Sequence, residues 1–277
     1  MSQLIIGQAV QLTMRIRRVL ANNAGIMPGT GTNTYLIGEE NIAVIDPGPD
    51  DEGHIRSILN AVGDRIRWIL VTHTHPDHSP GAHLLKTETG AEVMGGRPPK
   101  EGIIDPNYKP DRVLDHDSCI HGDNFTLKAI CTPGHASNHL CFLLMEERVI
   151  FTGDHIMNGS TVVIAPPDGD MQAYLDSLAL LKRYSAERLA PGHGEMMDDP
   201  DSVIDGLIKH RLQREGKVIN SLRHLEKGTI ESLTPLAYDD VPSFLHPVAR
   251  FSLWAHLLKL EREHRASKSG DIWSLIE

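Results

Sequence analysis

The chain has 277 residues, of which 40% are hydrophobic and 23% are charged, as is typical of a globular protein. No apolar run approaches the roughly 18 residues of a membrane span, and a net charge of −10 argues against binding of polyanions over the whole surface. The three cysteines lack Cys-x-x-Cys spacing and predict neither a disulfide framework nor a thiolate zinc site. The first residues lack the pattern of a secretory signal, so we expect a cytoplasmic protein.

Short apolar runs alternate with amphipathic segments in the first part of the chain. Strands are predicted at residues 11–20, 34–37, 42–45 and 66–71. Helices are predicted at residues 50–62 and 79–87. Residues 22–32 are rich in Gly, Asn and Pro and predict a loop, whereas residues 95–124 predict a loop-dominated segment with short strands of undefined position.

The second part of the chain begins with strands and ends with helices. Strands are predicted at residues 125–130, 139–145, 148–151 and 188–190. A helix is predicted at residues 171–181, with Asp168 or Asp170 as its amino-terminal cap. After Pro200, the pattern predicts helices at residues 200–227, 230–238 and 246–264 and a strand at residues 271–276. These last elements indicate a small winged-helix-like domain of residues 199–277, which follows a larger domain of residues 1–198.

Four potential metal ligands, His73, His75, Asp77 and His78, follow the buried strand of residues 66–71 within six positions. Open α/β sheets place their functional sites at the carboxyl ends of strands, where this cluster is expected to lie. His73 and His75 are two residues apart and point to the same side of an extended backbone, whereas Asp77 and His78 lie beyond a turn. One segment can therefore supply ligands to two neighbouring metal ions.

Three further polar residues, His135, Asp154 and His193, each follow a predicted strand and a glycine. The glycine lets the backbone bend and direct the next side chain inward. Taken singly, these residues are also typical of surface turns and helix caps. A hydrolytic site with two metal ions needs about three protein ligands per ion and a bridging group. The three residues and the histidine cluster together supply such a set of seven.

This pattern resembles the metallo-β-lactamase superfamily, with Asp46 at the position of an early Asp-containing turn. The resemblance covers residues 10–198 and implies a four-layer αβ/βα sandwich. It also implies the following ligand sets: His73, His75 and His135 for one ion, Asp77, His78 and His193 for the other, and Asp154 as the bridge. Members of the superfamily usually hold zinc, so we expect two zinc ions, and nitrogen and oxygen ligands also permit manganese or iron.

Two adjacent cations predict a hydrolase. A water shared by both ions loses a proton near neutral pH and becomes the nucleophile, which Asp77 can orient. The second ion would stabilise the charge that develops on the substrate. Five residues are expected to support the ligands or to contact substrate: Asp46, His139, His155, Asn33 and Tyr35.

The chain also resembles, over nearly its whole length, a branch of lactamase-like proteins whose animal member is a mitochondrial single-strand endoribonuclease. This likeness is carried by four stretches, at residues 31–36, 158–162, 210–215 and 255–261. The chain departs from the branch at Pro80, where glycine is usual, and at His155. True β-lactamases of this fold are usually exported and mostly lack the bridging Asp, so β-lactamase activity is not expected as the main role.

Two reactions stay open on the sequence. Cleavage of single-stranded RNA is the favoured hypothesis, because of this resemblance and because residues 209–268 hold eleven Lys and Arg against seven Asp and Glu. Hydrolysis of a small acyl conjugate, as in hydroxyacylglutathione hydrolases, is favoured by the acidic remainder and by the 5% of aromatic residues, since single-strand binders often stack bases on aromatics. The carboxyl-terminal domain would bind RNA, close the site as a lid or form a homodimer contact.

Overall fold

The computed structural model of the protein describes residues 4–25 and 29–276, so part of the predicted loop at residues 22–32 lies outside the described residues. The described part contains three sheets and six α-helices. Two large sheets pack face to face, and the small third sheet lies in the carboxyl-terminal region.

The first sheet contains seven strands that are adjacent in chain order. They are β1 (Ala9–Gln11), β2 (Ile16–Leu20), β3 (Asn33–Ile37), β4 (Ile42–Ile45), β5 (Ile66–Val71), β6 (Glu92–Gly95) and β7 (Arg112–Val113). Strands β1 to β4 are antiparallel, whereas β4 to β7 are parallel. Helices α1 (Glu52–Val62) and α2 (Gly81–Thr89) connect the parallel strands β4, β5 and β6, as crossovers must. The carboxyl ends of β4 and β5 therefore lie at the same edge.

The predicted strand at residues 11–20 is wrong in extent, because the chain turns between β1 and β2. The backbone N–H groups of Leu12 and Thr13 donate to the Ile16 carbonyl at 2.9 and 3.2 Å. The Thr13 hydroxyl in turn accepts from the Ile16 N–H at 3.2 Å. The alternation of apolar and basic residues continues through this turn, so the pattern does not mark it.

The second sheet contains six strands. They are β8 (Cys119–His121), β9 (Thr126–Cys131), β10 (Leu140–Leu144), β11 (Val149–Gly153), β12 (Arg188–Pro191) and β13 (Met197–Asp198). Their spatial order is β13-β12-β11-β10-β9-β8, with all pairs antiparallel except β11 and β12. Helix α3 (Met171–Lys182) joins this parallel pair. Of the two predicted caps, Asp170 is the one that accepts from the Ala173 N–H, at 2.9 Å.

Three apolar clusters define the order of the layers. Ile45 and Phe142 belong to the cluster between the two sheets. Ile58 of α1 and Leu85 of α2 cover the outer face of the first sheet, and Leu178 of α3 covers the outer face of the second. The predicted four-layer αβ/βα sandwich is therefore confirmed. Among the described residues, no helix has both the length and the apolar character that a bilayer crossing demands.

The carboxyl-terminal region combines three helices with a three-stranded sheet, so the winged-helix-like architecture is confirmed. Its elements are α4 (Pro200–Leu225), β14 (Lys227–Gly228), α5 (Ile230–Ala237), α6 (His246–Arg262), β15 (Ala266–Ser269) and β16 (Ile272–Leu275). The predicted strand at residues 271–276 is the second strand of a hairpin with β15. Because residues 267–269 are polar and exposed, β15 lacks the apolar alternation that would reveal it.

We expect Phe142→Ala to lower the free energy of unfolding by about 3–5 kcal/mol, because the Phe142 ring is fully buried between the two sheets. Phe244→Ala makes the same change where the ring is 73% exposed, and should alter the free energy of unfolding by less than about 0.5 kcal/mol. Urea unfolding followed by circular dichroism measures both values. Equal destabilisation by the two substitutions would contradict the position of Phe142 in the core.

Candidate metal centre

The predicted ligands lie at one edge of the facing sheets. Asp46 follows β4, the segment His73–His78 follows β5, His135 follows β9, Asp154 follows β11 and His193 follows β12. Strands β4 and β5 run parallel, as do β11 and β12, and β9 runs in the direction of β11 because both pair antiparallel with β10. The strand ends therefore bring together side chains that are distant in sequence.

His73, His75 and His135 form the first group of candidate ligands. His75 Nδ1 lies 3.0 Å from His73 Nε2 and 2.9 Å from His135 Nε2. Burial lowers the pKa of His75 to about 3 and holds the pKa of His73 and of His135 below the ordinary value. These rings are therefore neutral at physiological pH, and nitrogen lone pairs are available for a cation.

Asp77, His78 and His193 form the second group. His193 Nε2 lies 3.2 Å from Asp77 Oδ2, and His78 Nε2 lies 3.5 Å from the same oxygen. Asp154 Oδ1 lies 3.3 Å from His78 Nε2 and 3.2 Å from His193 Nε2. Its other oxygen, Oδ2, lies 3.8 Å from His135 Nε2 of the first group. Asp154 thus faces both groups with different oxygens, as a bridging ligand would.

The charge state of the second group differs from that of the first. Burial alone would lower the pKa of His78 and His193, but the neighbouring carboxylates raise the pKa of His193 to about 10 and that of His78 well above its ordinary value. Burial likewise acts to raise the pKa of Asp77 and Asp154, yet these histidines hold both values well below the ordinary range. Without metal, the second group therefore keeps protons on its imidazoles at neutral pH.

The donor atoms fit divalent cations. The ligand atoms within each group lie within 4.8 Å of one another, and two ligands of one tetrahedral zinc ion lie about 3.4 Å apart when the bonds are about 2.1 Å long. His78 Nε2 and Asp154 Oδ1 are buried and lie 3.3 Å apart without a well-directed hydrogen bond, so a cation between them would satisfy both atoms. Nitrogen and oxygen donors suit zinc, manganese and iron, so two zinc ions stay a prediction.

The Asp46 carboxylate orients ligands of both groups. Its Oδ2 accepts hydrogen bonds from His78 Nδ1 at 2.9 Å and from Thr72 Oγ1 at 2.8 Å, and its Oδ1 accepts from the Thr72 N–H at 2.7 Å. Since the Thr72 hydroxyl donates to Asp46, its oxygen is free to accept from His73 Nδ1 at 2.9 Å. Both imidazoles therefore direct Nε2 toward the candidate cations. The φ of 51° at Asp46 turns this carboxylate from the end of β4 into the network.

Asn33 and Tyr35 of β3 hold the turn that carries His193. Asn33 Nδ2 donates to the carbonyl of Pro191 at 2.9 Å and to that of Gly194 at 2.8 Å. The Tyr35 hydroxyl donates to the Pro191 carbonyl at 2.8 Å. Asn33 and Tyr35 therefore support His193 indirectly, through the backbone on either side of it.

Main-chain carbonyls orient the other two Nε2 ligands. His135 Nδ1 donates to the Val163 carbonyl at 2.7 Å, and His193 Nδ1 donates to the Gly31 carbonyl at 3.0 Å. The tautomer that makes these bonds leaves the Nε2 lone pair for a metal ion.

His139 and His155 pack against the ligand histidines and against α3. The His139 ring centroid lies 5.1 Å from that of His73, and His139 Nδ1 lies 2.9 Å from Thr132 Oγ1. The His155 ring lies 5.6 Å from His139 and 4.7 Å from Tyr174. Because both side chains are at most 1% exposed, the geometry favours a packing role over contact with substrate.

Two supporting threonines are absent from the predicted site. Thr72 links Asp46 with His73, and Thr32 Oγ1 donates to Asp77 Oδ2 at 3.4 Å. Thr72 could be identified from the sequence, because it lies between a buried strand and the histidine cluster. Thr32 lies 45 positions from Asp77, and nothing local connects the two.

A cavity of about 460 Å³ lies beside the candidate metal centre. The ligands on its wall are His75, Asp77, His135, Asp154 and His193. Most of its aliphatic side chains come from the loop after β11 and from the carboxyl-terminal region, and include Val162, Val163, Val241, Leu245, Val248 and Ala249. Ile103, from the segment between β6 and β7, adds another. The sandwich and the helical region therefore form this cavity together.

The chain matches two family models. One is described as the metallo-beta-lactamase superfamily and matches residues 27–193, and the other is described as the beta-lactamase associated winged helix domain and matches residues 229–273.

Individual proteins are similar over much of the chain. A Beta-lactamase-like protein 2 homolog of Drosophila melanogaster is 31% identical over 285 residues, which cover 96% of this chain and 95% of that protein. An Atrochrysone carboxyl ACP thioesterase of Aspergillus chevalieri is 34% identical over 222 residues, which cover 77% of this chain and 67% of that protein. The crystal structure of a beta-lactamase domain protein from Burkholderia ambifaria has a TM-score of 0.83 at 17% identity, covering 99% of this chain and 95% of that one, and shows the fold.

We expect Asp46→Asn to lower the affinity for zinc about 10- to 100-fold, because three donors converge on this carboxylate and an amide NH2 group would oppose one of them. Competition with a chromophoric chelator measures the affinity. Asp50→Asn makes the same change at an exposed position and should bind zinc as the wild type does. Unchanged zinc affinity in Asp46→Asn would contradict the orienting role of Asp46.

Zinc binding to the second group should release protons and weaken as the pH falls. Because the raised pKa values leave His78 and His193 protonated near neutral pH, zinc must displace those protons. For each displaced proton, the zinc affinity falls about tenfold with every pH unit below the histidine pKa. The first group, with its lowered pKa values, should show little such dependence between pH 6 and 8. Calorimetry in buffers of different ionisation heat counts the protons released. Equal proton release for both zinc equivalents would contradict this difference.

Proposed function

The chain belongs to the metallo-β-lactamase superfamily and is a hydrolase of that superfamily, and we propose that it hydrolyses the thioester or ester bond of an acyl conjugate. One observation carries this proposal, namely the aliphatic cavity that begins at the candidate metal ligands. Concave sites with apolar walls and a few polar groups suit small-molecule substrates, and valine and leucine side chains suit an acyl chain. A similar fungal protein that is named a thioesterase adds support.

The cavity offers little for the stacking of bases. Among the described residues, Tyr238 is the only aromatic side chain other than histidine on its wall. The Arg214 guanidinium lies 4.2 Å from the centroid of that ring and already covers it. Proteins that bind single strands use free aromatic faces for this purpose, so the geometry favours an acyl substrate.

The residues around the cavity have defined parts in such a hydrolysis. Bound metal ions would supply Lewis acidity, which polarises the scissile carbonyl and lowers the pKa of water. All contacts found for the Asp77 carboxylate in the described part of the chain use Oδ2, so Oδ1 is left to accept a hydrogen bond from the attacking water. The aliphatic wall would hold the acyl chain and exclude bulk water from it.

Cleavage of single-stranded RNA is the second candidate, and basic residues on the cavity wall favour it. His210, Arg211 and Arg214 lie on the side formed by α4. Arg214 pairs with both oxygens of Asp240, at 2.8 and 3.2 Å, so part of this positive charge is already compensated. RNA cleavage stays a prediction from the sequence and ranks below acyl hydrolysis on the geometry.

A parallel assay separates the two reactions. Zinc- or manganese-loaded protein is given acyl thioesters of N-acetylcysteamine, with release of thiol as the readout, and a labelled single-stranded RNA oligonucleotide. We expect turnover of the thioesters and a loss of about 10²- to 10³-fold in kcat/KM for Asp77→Ala, since this substitution removes both a predicted ligand and the water acceptor.

Asp50→Ala is the matched control and should keep the wild-type rate, because Asp50 is exposed and lies outside the candidate centre. RNA cleavage that Asp77→Ala abolishes, together with no thioester turnover, would replace the acyl proposal by the RNA reaction. Thioester turnover that persists in Asp77→Ala would assign the activity to a contaminant.

A further inference from the structure

Arg211 is the exception among the buried cations of this protein. In the described part of the chain, four arginine and lysine side chains are less than a tenth exposed: Arg18, Arg211, Arg214 and Lys259. Three of them pair with carboxylates, in the contacts Arg18–Glu195 at 2.9 Å, Arg214–Asp240 at 2.8 Å and Lys259–Glu215 at 2.8 Å. No carboxylate of residues 4–25 and 29–276 pairs with Arg211, which is 3% exposed. A buried guanidinium without an anion is costly, so its retention calls for an explanation.

The contacts of Arg211 leave part of its guanidinium available. Nη2 donates to the Val162 carbonyl, and the guanidinium carbon lies 5.2 Å from the Tyr174 ring centroid. Nε is buried and has no hydrogen-bond partner among the described residues. A neutral carbonyl and an aromatic face do not compensate a full positive charge. The free donor therefore points to an anion that the protein itself does not provide.

Two neighbouring groups on the cavity wall also have buried polar atoms that make no hydrogen bond with the described residues. Tyr238 Oη and His210 Nδ1 are buried, and neither has a hydrogen-bond partner within the residues that the structure describes. Native proteins satisfy most buried polar atoms, and a ligand with polar atoms at this wall would supply partners to all three groups. A hydroxyl and an imidazole can both donate to an oxyanion that Arg211 attracts.

We propose that Arg211 binds an anionic group of the substrate, a carboxylate or a phosphate, in the cavity that begins at the metal ligands. This inference rests on the proposed acyl hydrolysis and specifies its substrate class: the conjugate carries a negative charge away from the scissile bond. The aliphatic side chains of the same cavity hold the uncharged part of the molecule. Arg211 thereby selects substrates and takes no part in bond cleavage.

Two pairs of thioesters test the charge and its place. S-hexanoyl- and S-adipoyl-N-acetylcysteamine differ by a carboxylate at the end of the acyl chain. S-hexanoyl-pantetheine and S-hexanoyl-phosphopantetheine differ by a phosphate on the thiol part. For the metal-loaded wild type, we expect KM for the charged member of one pair to be about 10- to 100-fold lower than for its neutral partner, the range for a charge-assisted hydrogen bond.

Arg211→Gln should abolish this preference, because KM for the charged thioester should rise to about that of its neutral partner. Lys209→Gln removes a positive charge from an exposed position on the same helix and should keep the preference. Arg211→Lys retains the positive charge and should recover part of the preference for the charged thioester. This recovery distinguishes the loss of anion binding from a loss of fold. An equal preference in the wild type and Arg211→Gln, or none in the wild type, would overturn the inference.

A binding measurement keeps this inference separate from the proposed reaction. Thioether analogues, in which CH2 replaces the scissile carbonyl, are titrated calorimetrically into the metal-loaded wild type and the same variants. If a charged analogue binds more tightly because of Arg211 but no thioester is turned over, the anion site would be supported and the proposed acyl hydrolysis would be refuted. Arg211-dependent binding of a single-stranded RNA oligonucleotide without preference among the analogues would overturn the acyl form of the inference.

Discussion

The hydrogen bonds of one buried carboxylate, Asp46, control the orientation of ligands in both candidate metal groups. His78 of the second group is bonded to Asp46 directly, and His73 of the first group is bonded through the hydroxyl of Thr72. A change in the position of Asp46 would therefore turn two imidazoles at once. The parallel pairing of β4 and β5 sets this position, because it places the end of β4 beside Thr72. The strand pairing of the first sheet therefore also sets the geometry of the metal centre.

The second constraint is how closely the strand ends of the two sheets approach each other. A Cβ atom on Gly153 would lie 2.6 Å from Thr72 Oγ1, and one on Gly192 would lie 2.8 Å from His78 Cε1. Both glycines directly precede a candidate ligand in the second sheet, and both face groups of the centre. Glycine is needed here for closeness as well as for the bend of the chain. Any side chain at these positions would push Asp154 or His193 away from the other ligands.

The sequence predicts the features that depend on neighbours along the chain. The cluster after β5 and the ligands after β9, β11 and β12 stand beside glycines or apolar runs, so local patterns reveal them. The bond from Thr32 to Asp77 and the pairing of Arg214 with Asp240 depend on tertiary contacts, which no local pattern encodes. For the same reason, the sequence shows Arg211 as one of several basic residues, and only the structure shows that no carboxylate of the described residues pairs with it. The polar strand β15 was missed because pairing and not apolar alternation defines it.

The two parts of the chain contribute different groups to the cavity. The sandwich supplies all the candidate metal ligands, whereas α4, α6 and the segment between α5 and α6 supply much of the remaining wall. Within α4, Arg211 and Arg214 are three residues apart and lie on the same side of the helix. Asp240, which follows α5, pairs with Arg214 and with Lys217, whereas no ion pair joins it to Arg211 among the described residues. One acidic residue of the carboxyl-terminal region thus determines which arginine stays available to a substrate, so substitutions there can change specificity while the metal centre is unaltered.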